Sequence, residues 1–104
     1  MKSERTEHYY IRRRGIVANI LGWSTGKLNT LYICEYLLRE NGRVTHAKIA
    51  AELYSVNSKK MKEYVSSLLE DKIIKEQKVG KLTYYIRGEK MYPYLDEIDK
   101  ILYA

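Results

Sequence analysis

The sequence predicts a mainly α-helical domain that carries one small β-hairpin. Three observations predict it. Apolar residues recur at helical spacing in four separate stretches, within residues 28–38, 49–53, 61–69 and 91–102. A short polar run with capping residues parts the second stretch from the third. After Ile73 the pattern switches to a period of two and turns back at Gly80. The chain has 104 residues, a length that suits one domain with an adequate core. Hydrophobic residues make up 45% and charged residues 31%, a globular balance.

The N-terminal stretch comes first. Met1 to Tyr10 reads as a tail. Arg12, Arg13 and Arg14 follow, and then Ile16, Val17, Ile20 and Leu21, which fit a short amphipathic helix ending near Gly22 and Trp23. Two readings compete for the arginines: an arm that reaches DNA phosphates or a narrow minor groove, or a solubilising edge on a helix packed against a partner subunit.

The first long helix is expected over residues 27–41. Leu28, Leu31, Ile33, Cys34, Leu37 and Leu38 supply its buried side, and Asn41-Gly42 stops it. Thr45 caps the next helix, whose inner face is Ile49, Ala50 and Leu53. The run Tyr54-Ser55-Val56-Asn57-Ser58 breaks the pattern; Val56 is expected to plug the gap, and Asn57 or Ser58 to cap the next helix.

That next helix, from about Ser58 to Asp71, is the most informative element. Met61, Tyr64, Val65, Leu68 and Leu69 form its apolar stripe. Lys59, Glu63, Ser66 and Ser67 lie opposite, with Lys60 and Lys62 on the flanks. Ammonium groups suit phosphates, and short polar side chains let a base edge come close. On an isolated helix such a face would most simply be solvated surface. Here a hairpin comes next: Leu82, Tyr84 and Ile86 alternate with Thr83 and Tyr85, Lys78 and Lys81 flank the tip, and Lys75 and Arg87 sit nearer the base.

This layout resembles the winged helix-turn-helix family over roughly residues 28 to 102. The resemblance rests on Ile49-Ala50-x-x-Leu53, a turn, Met61…Val65…Leu68, and then Ile73-Ile74 with a hairpin. Lys62-Glu63-Tyr64-Val65 through Ile74 looks most like small archaeal winged-helix transcription regulators. Two positions depart from the pattern. Tyr54-Ser55 stands where a single Gly is common, and Lys72 stands where many members have Gly. The resemblance implies a three-helix core plus wing, a one-residue strand at Arg43-Val44 pairing with the hairpin, a recognition helix in the major groove, and dimers often built from terminal helices. On that view residues 1–26 are a basic arm with a possible short helix, 27–88 the DNA-binding domain and 89–104 a dimerisation helix.

The C-terminal stretch repeats Met91, Tyr94, Leu95, Ile98, Ile101 and Leu102 at helical spacing, with Pro93 in the first turn and Asp96, Glu97 and Asp99 off the stripe. With Trp23, these six are expected at a dimer interface. The same stripe could instead close on the chain's own core.

Charge sharpens the expectation. Net charge is +6. Residues 1–30 carry six Lys/Arg against two acids and residues 59–90 nine against five, so each stretch stands at +4; residues 31–58 balance, and 91–104 stand at −2. A polyanion should meet the arm, the second helix of the pair and the wing. The expected DNA contacts are Asn57, Ser58, Lys59, Lys60, Lys62, Glu63, Ser66, Ser67, Lys75, Lys78, Lys81, Arg12, Arg13 and Arg14. Glu63 could accept from a cytosine amino group or pair with Lys59 or Lys60 on its own helix.

Other function classes fit less well. Gly22-Trp23-Ser24-Thr25-Gly26-Lys27 spaces its glycines by three residues where a phosphate-binding loop needs four, and Leu28 replaces the Ser/Thr. No nucleophile has a recognisable base partner. One cysteine, Cys34, excludes an internal disulfide, and with His8 and His46 it makes no metal-ligand spacing. No catalysis, cofactor or metal is expected. No apolar run approaches a membrane span and Met1-Lys2-Ser3-Glu4-Arg5 leads into no signal-type stretch, so a cytoplasmic, nucleoid-associated protein is expected. The leading expectation is a homodimeric, sequence-specific regulator bound to double-stranded DNA. Its rivals are a nucleoid-architectural protein with low sequence preference and a protein-interaction winged helix that binds no DNA.

Overall fold

A computed structural model describes residues 13–53 and 56–103. The expected tail, Arg12 and the turn residues Tyr54 and Ser55 lie outside the described residues. In chain order the elements are α1 (Arg14–Leu21), α2 (Thr25–Asn41), α3 (His46–Glu52), α4 (Ser58–Glu70), β1 (Ile74–Val79), β2 (Leu82–Arg87) and α5 (Met91–Leu102). Among the described residues, five helices and one antiparallel hairpin make a winged helix-turn-helix: α2, α3 and α4 are the three-helix core, and β1–β2 is the wing.

Local chemistry sets the boundaries. Ser24 Oγ accepts from the Lys27 N–H at 3.1 Å and starts α2. Thr45 Oγ1 accepts from Lys48 N–H at 3.2 Å and starts α3; Asn57 Oδ1 accepts from Lys60 N–H at 2.9 Å and starts α4. Each oxygen satisfies one of the amides that a helix start leaves without an internal partner. At the other end of α2, Gly42 N–H bonds to Leu38 O at 2.7 Å.

Helix α2 is central. It packs against α1, α3, α4 and β2, and it buries Leu28, Leu31, Tyr32, Cys34, Leu37 and Leu38. Its buried Thr30 hydroxyl donates to Gly26 O at 2.8 Å, so that polar group is satisfied within the helix. Burial pushes the Cys34 thiol up to about 12, which keeps it an inert apolar packer. Ile49 and Leu53 from α3, and Met61, Val65 and Leu68 from α4, meet α2 in one cluster, with Val56 half-buried in the turn between them.

The hairpin pairs Ile74 with Arg87 through Val79 with Leu82, joined by the two-residue turn Gly80-Lys81. Val44 exchanges both backbone hydrogen bonds with Tyr85, at 3.0 and 2.7 Å, and so adds the expected third, one-residue strand. Opposite residues share a face. Ile74 and Tyr85 turn inward with Val44, while Val79 and Leu82 at the far end stand exposed. Gly88 holds the wing's base to the end of α4. A Cβ there would fall 2.2 Å from Lys72 O, and Gly88 N–H bonds Ile73 O at 2.8 Å.

The two end helices differ from expectation. Met91, Leu95, Ile98 and Leu102 are 0–1% exposed and belong to the cluster formed by the three-helix core. Of the two destinations open to this stripe, a dimer interface or its own core, these four side chains take the second within the single chain. Ile101 and Tyr94 pack half-buried against the same cluster. Helix α1 forms as expected but is rotated. Val17 and Ala18 face inward, whereas Ile16 and Ile20 are 56% and 60% exposed.

Candidate nucleic-acid interface

Helix α4 presents the surface that matters. Its inner side is held by Met61, Val65 and Leu68. The opposite side places Lys59, Lys62, Glu63, Ser66, Ser67 and Glu70 around a shallow, open depression. Ser58, Lys59, Lys60, Lys62, Glu63 and Ser66 are exposed and Ser67 is half-buried. Glu70 is a member that residue pattern alone did not single out. It puts a second carboxylate on the face, so the positive charge concentrates toward the N-terminal half of the helix.

Glu63 is partly engaged: Lys60 Nζ lies 3.5 Å from its Oε2. Both side chains are more than half exposed, so the pair is weak and can exchange for a ligand group. Asn57 has its side chain committed to the cap, at the start of α4.

The wing carries three exposed lysines, in two places. Lys78 and Lys81 stand at the tip. Lys75 lies near the base and, three residues from Lys78, on the opposite face of the ribbon. Arg43 at the edge strand covers the Tyr84 ring, with its guanidinium carbon 4.2 Å from the centroid. On the inner face the Tyr85 hydroxyl sits 3.4 Å from His46 Nδ1, and burial first, then the Glu76 charge and Cys34, raises its pKa above the ordinary value.

Arg13 and Arg14 belong to the start of α1. Arg14 Nη1 donates to Asn29 Oδ1 at 3.0 Å and ties α1 to α2. Arg13 precedes α1 in a left-handed conformation, φ 52°, with its side chain exposed. Arg12 lies outside the described residues.

A cluster that spacing did not reveal fixes the far end of α4. Lys27 Nζ donates to Asp71 Oδ2, and the same ammonium stands 4.1 Å from the Trp23 ring centroid. The Trp23 and Tyr94 rings lie 5.2 Å apart. Trp23 and Tyr94, both expected at a subunit contact, thus meet each other within one chain. Lys27 sits in the first turn of α2 and Asp71 caps the C-terminus of α4, so each charge is of the wrong sign for its own helix dipole. Their contact offsets both penalties and joins the two helices.

The chain matches the family described as Mnd1 HTH domain over residues 45–87, less than half of its length. That segment runs from the α3 cap through α4 to the last residue of β2. Comparison with curated proteins and with solved structures returns no significant match. The match supports a helix-turn-helix domain, and a domain of that type points to DNA as a partner. Among the described residues, no helix is long and apolar enough to cross a membrane.

Proposed function

We propose that this chain is a sequence-specific DNA-binding transcription regulator that works as a homodimer, of the kind found among small archaeal winged-helix proteins. One observation carries the reading: the lysine- and serine-bearing side of α4 stands open while the other side is locked in the core, and a cationic hairpin comes directly after it. Lys59, Lys60 and Lys62 bind phosphates, and Ser66, Ser67 and Glu63 reach base edges in the major groove. Lys78 and Lys81 grip the flanking backbone or minor groove, with Lys75 as an outer contact. Asn57 and Ser58 bring the start of α4 to a phosphate, and Arg12, Arg13 and Arg14 supply further cationic groups from the N-terminal arm.

Two copies would set two recognition helices on half-sites about 34 Å apart. With the α5 stripe buried, the exposed apolar side chains among the described residues include Ile16 and Ile20 of α1 and Tyr103 beyond α5, and these offer a surface for pairing. The testing experiment is selection of bound duplexes from a random pool, followed by competition at physiological salt. A regulator returns a two-fold-related motif and prefers it over random DNA by roughly a thousandfold or more. Enrichment of no motif, with binding intact, would replace this reading by that of an architectural protein. A folded Ser66→Trp variant that binds the selected site normally would remove α4 from the interface.

A further inference from the structure

Among the described residues, the exposed large aliphatic side chains gather at two places: Ile16 and Ile20 on α1, and Val79 and Leu82 at the end of the wing. Val79 and Leu82 are 45% and 58% exposed and stand directly opposite each other where the two strands meet the turn. They contribute nothing to the core, whose wing members are Ile74 and Tyr85 on the other face. Among the described residues, nothing crowds Gly80 in the turn between them. A Cβ built on Gly80 would find nothing within 4 Å, and Gly80 takes the left-handed φ of 62° that a two-residue hairpin turn requires. Lys78 and Lys81 flank the pair in sequence, Lys78 on the other face of the ribbon and Lys81 in the turn, and no acidic residue occurs from Gln77 to Arg87.

We propose that this tip is a minor-groove wedge. Val79 and Leu82 enter the groove and open a base step, while Lys78 and Lys81 hold the phosphate rows on either side, so the duplex bends where the wing touches it. The proposal rests on the DNA-binding reading and specifies what the wing does there. Three features select this occupant. The tip is narrow, two residues across, which suits a minor groove about 6 Å wide. Its apolar pair is of the aliphatic kind that unstacks base steps. Lys78 behind the pair and Lys81 in the turn call for a surface with negative charge around an apolar slot, which the phosphate rows, sugar walls and stacked bases of the minor groove supply. A protein groove complementary to the tip would need acids on both rims. Opening a step is easiest at TA and CA/TG steps. The selected site should therefore carry such a step beside the recognition contacts, at a position that no α4 side chain reads.

The test uses the full chain and a duplex of about 30 base pairs, a length typical of bent sites, labelled at its two ends for energy transfer. A second version carries 2-aminopurine at the expected step. Wild-type protein should shorten the end-to-end distance, by a bend of about 20° or more, and raise the 2-aminopurine fluorescence. The Val79→Ser, Leu82→Ser double variant should lose both signals and keep the salt dependence of binding. Lys78→Ala with Lys81→Ala should instead lower the salt slope by about two units, close to one per lost phosphate contact. Wild-type protein that binds and leaves the duplex straight overturns the wedge and leaves the DNA-binding reading standing. A double serine variant that bends as well as wild type does the same. Absence of any salt-dependent binding by wild type would sink both, and point to a protein surface as the occupant of the tip.

Discussion

Helices α4 and α5 are built alike along their inner edges and unlike along their outer ones. Met61, Val65 and Leu68 seal one side of α2; Met91, Leu95, Ile98 and Leu102 help close the same core. The outer edge of α4 carries Lys59, Lys62, Ser66 and Ser67 around an open surface. The outer edge of α5 carries Asp96, Glu97 and Asp99, in a stretch with net charge −2. On the proposed function, the first edge would draw a duplex and the second would repel it. An apolar stripe reports that a helix is covered; the residues opposite report what the helix is for.

The largest effects should come from cutting into the two stripes. Leu68→Ala and Leu95→Ala each remove a fully buried leucine from one shared core, and each should cost about 2–5 kcal/mol. Urea unfolding followed at several protein concentrations makes the comparison sharp. If α5 closes on its own chain, the loss caused by Leu95→Ala is the same at every concentration, like that of Leu68→Ala. A loss that shrinks as protein concentration rises, for Leu95→Ala alone, would return α5 to a subunit contact.

A smaller effect attaches to the link between Lys27 and Asp71. Both side chains are partly buried, and together they hold the end of α4 to the start of α2. Lys27→Met or Asp71→Asn should cost about 1–2 kcal/mol, the worth of a charge-assisted hydrogen bond discounted for partial exposure. The double variant should cost less than the two losses added. Additive losses in that cycle would mean that the two residues act separately and that packing alone sets the pose of α4.

How much of the molecule is legible in the chain alone depends on the range of the forces involved. Thr45 and Asn57 each accept from an amide three residues on, so a local pattern reveals them. The turn at Gly80 and the inner stripe of α4 are equally local. The Val44 bridge to Tyr85 is longer in range, yet the layout of the resembling family supplied it. Helix α1 was legible as a helix but not in its rotation: Ile16, Val17, Ala18, Ile20 and Leu21 ring most of its circumference, so periodicity does not choose between Val17 and Ile16 for the core. The destination of the α5 stripe is a tertiary choice between equivalent apolar surfaces. Lys27 and Asp71 lie 44 residues apart, and no spacing rule joins them. In the candidate site, residue types showed which face could meet DNA, whereas the Lys60–Glu63 pair and the place of Glu70 needed side-chain geometry.

The smallest expected effect concerns how the two helices end. Helix α4 closes with Ile73 N–H on Leu68 O at 3.0 Å and Lys72 N–H on Leu69 O at 3.1 Å, which forces Lys72 to φ 60°. This paired ending calls for a left-handed residue just past the cap. A side chain with a Cβ pays about 1–2 kcal/mol for that conformation, and the resembling family often places Gly there. Lys72→Gly removes the strain but loosens the unfolded chain, so the net gain should be about 0.5–1 kcal/mol, raising Tm by a few degrees for a domain of this size. Helix α5 ends differently: Tyr103 caps it at φ −116°, an ordinary conformation for any residue. Tyr103→Gly should therefore yield no gain, since there is no strain to relieve. The two melting curves, taken together, separate a termination fixed by backbone geometry from one fixed by burial, and a stabilised Tyr103→Gly beside an unchanged Lys72→Gly would reverse the assignment.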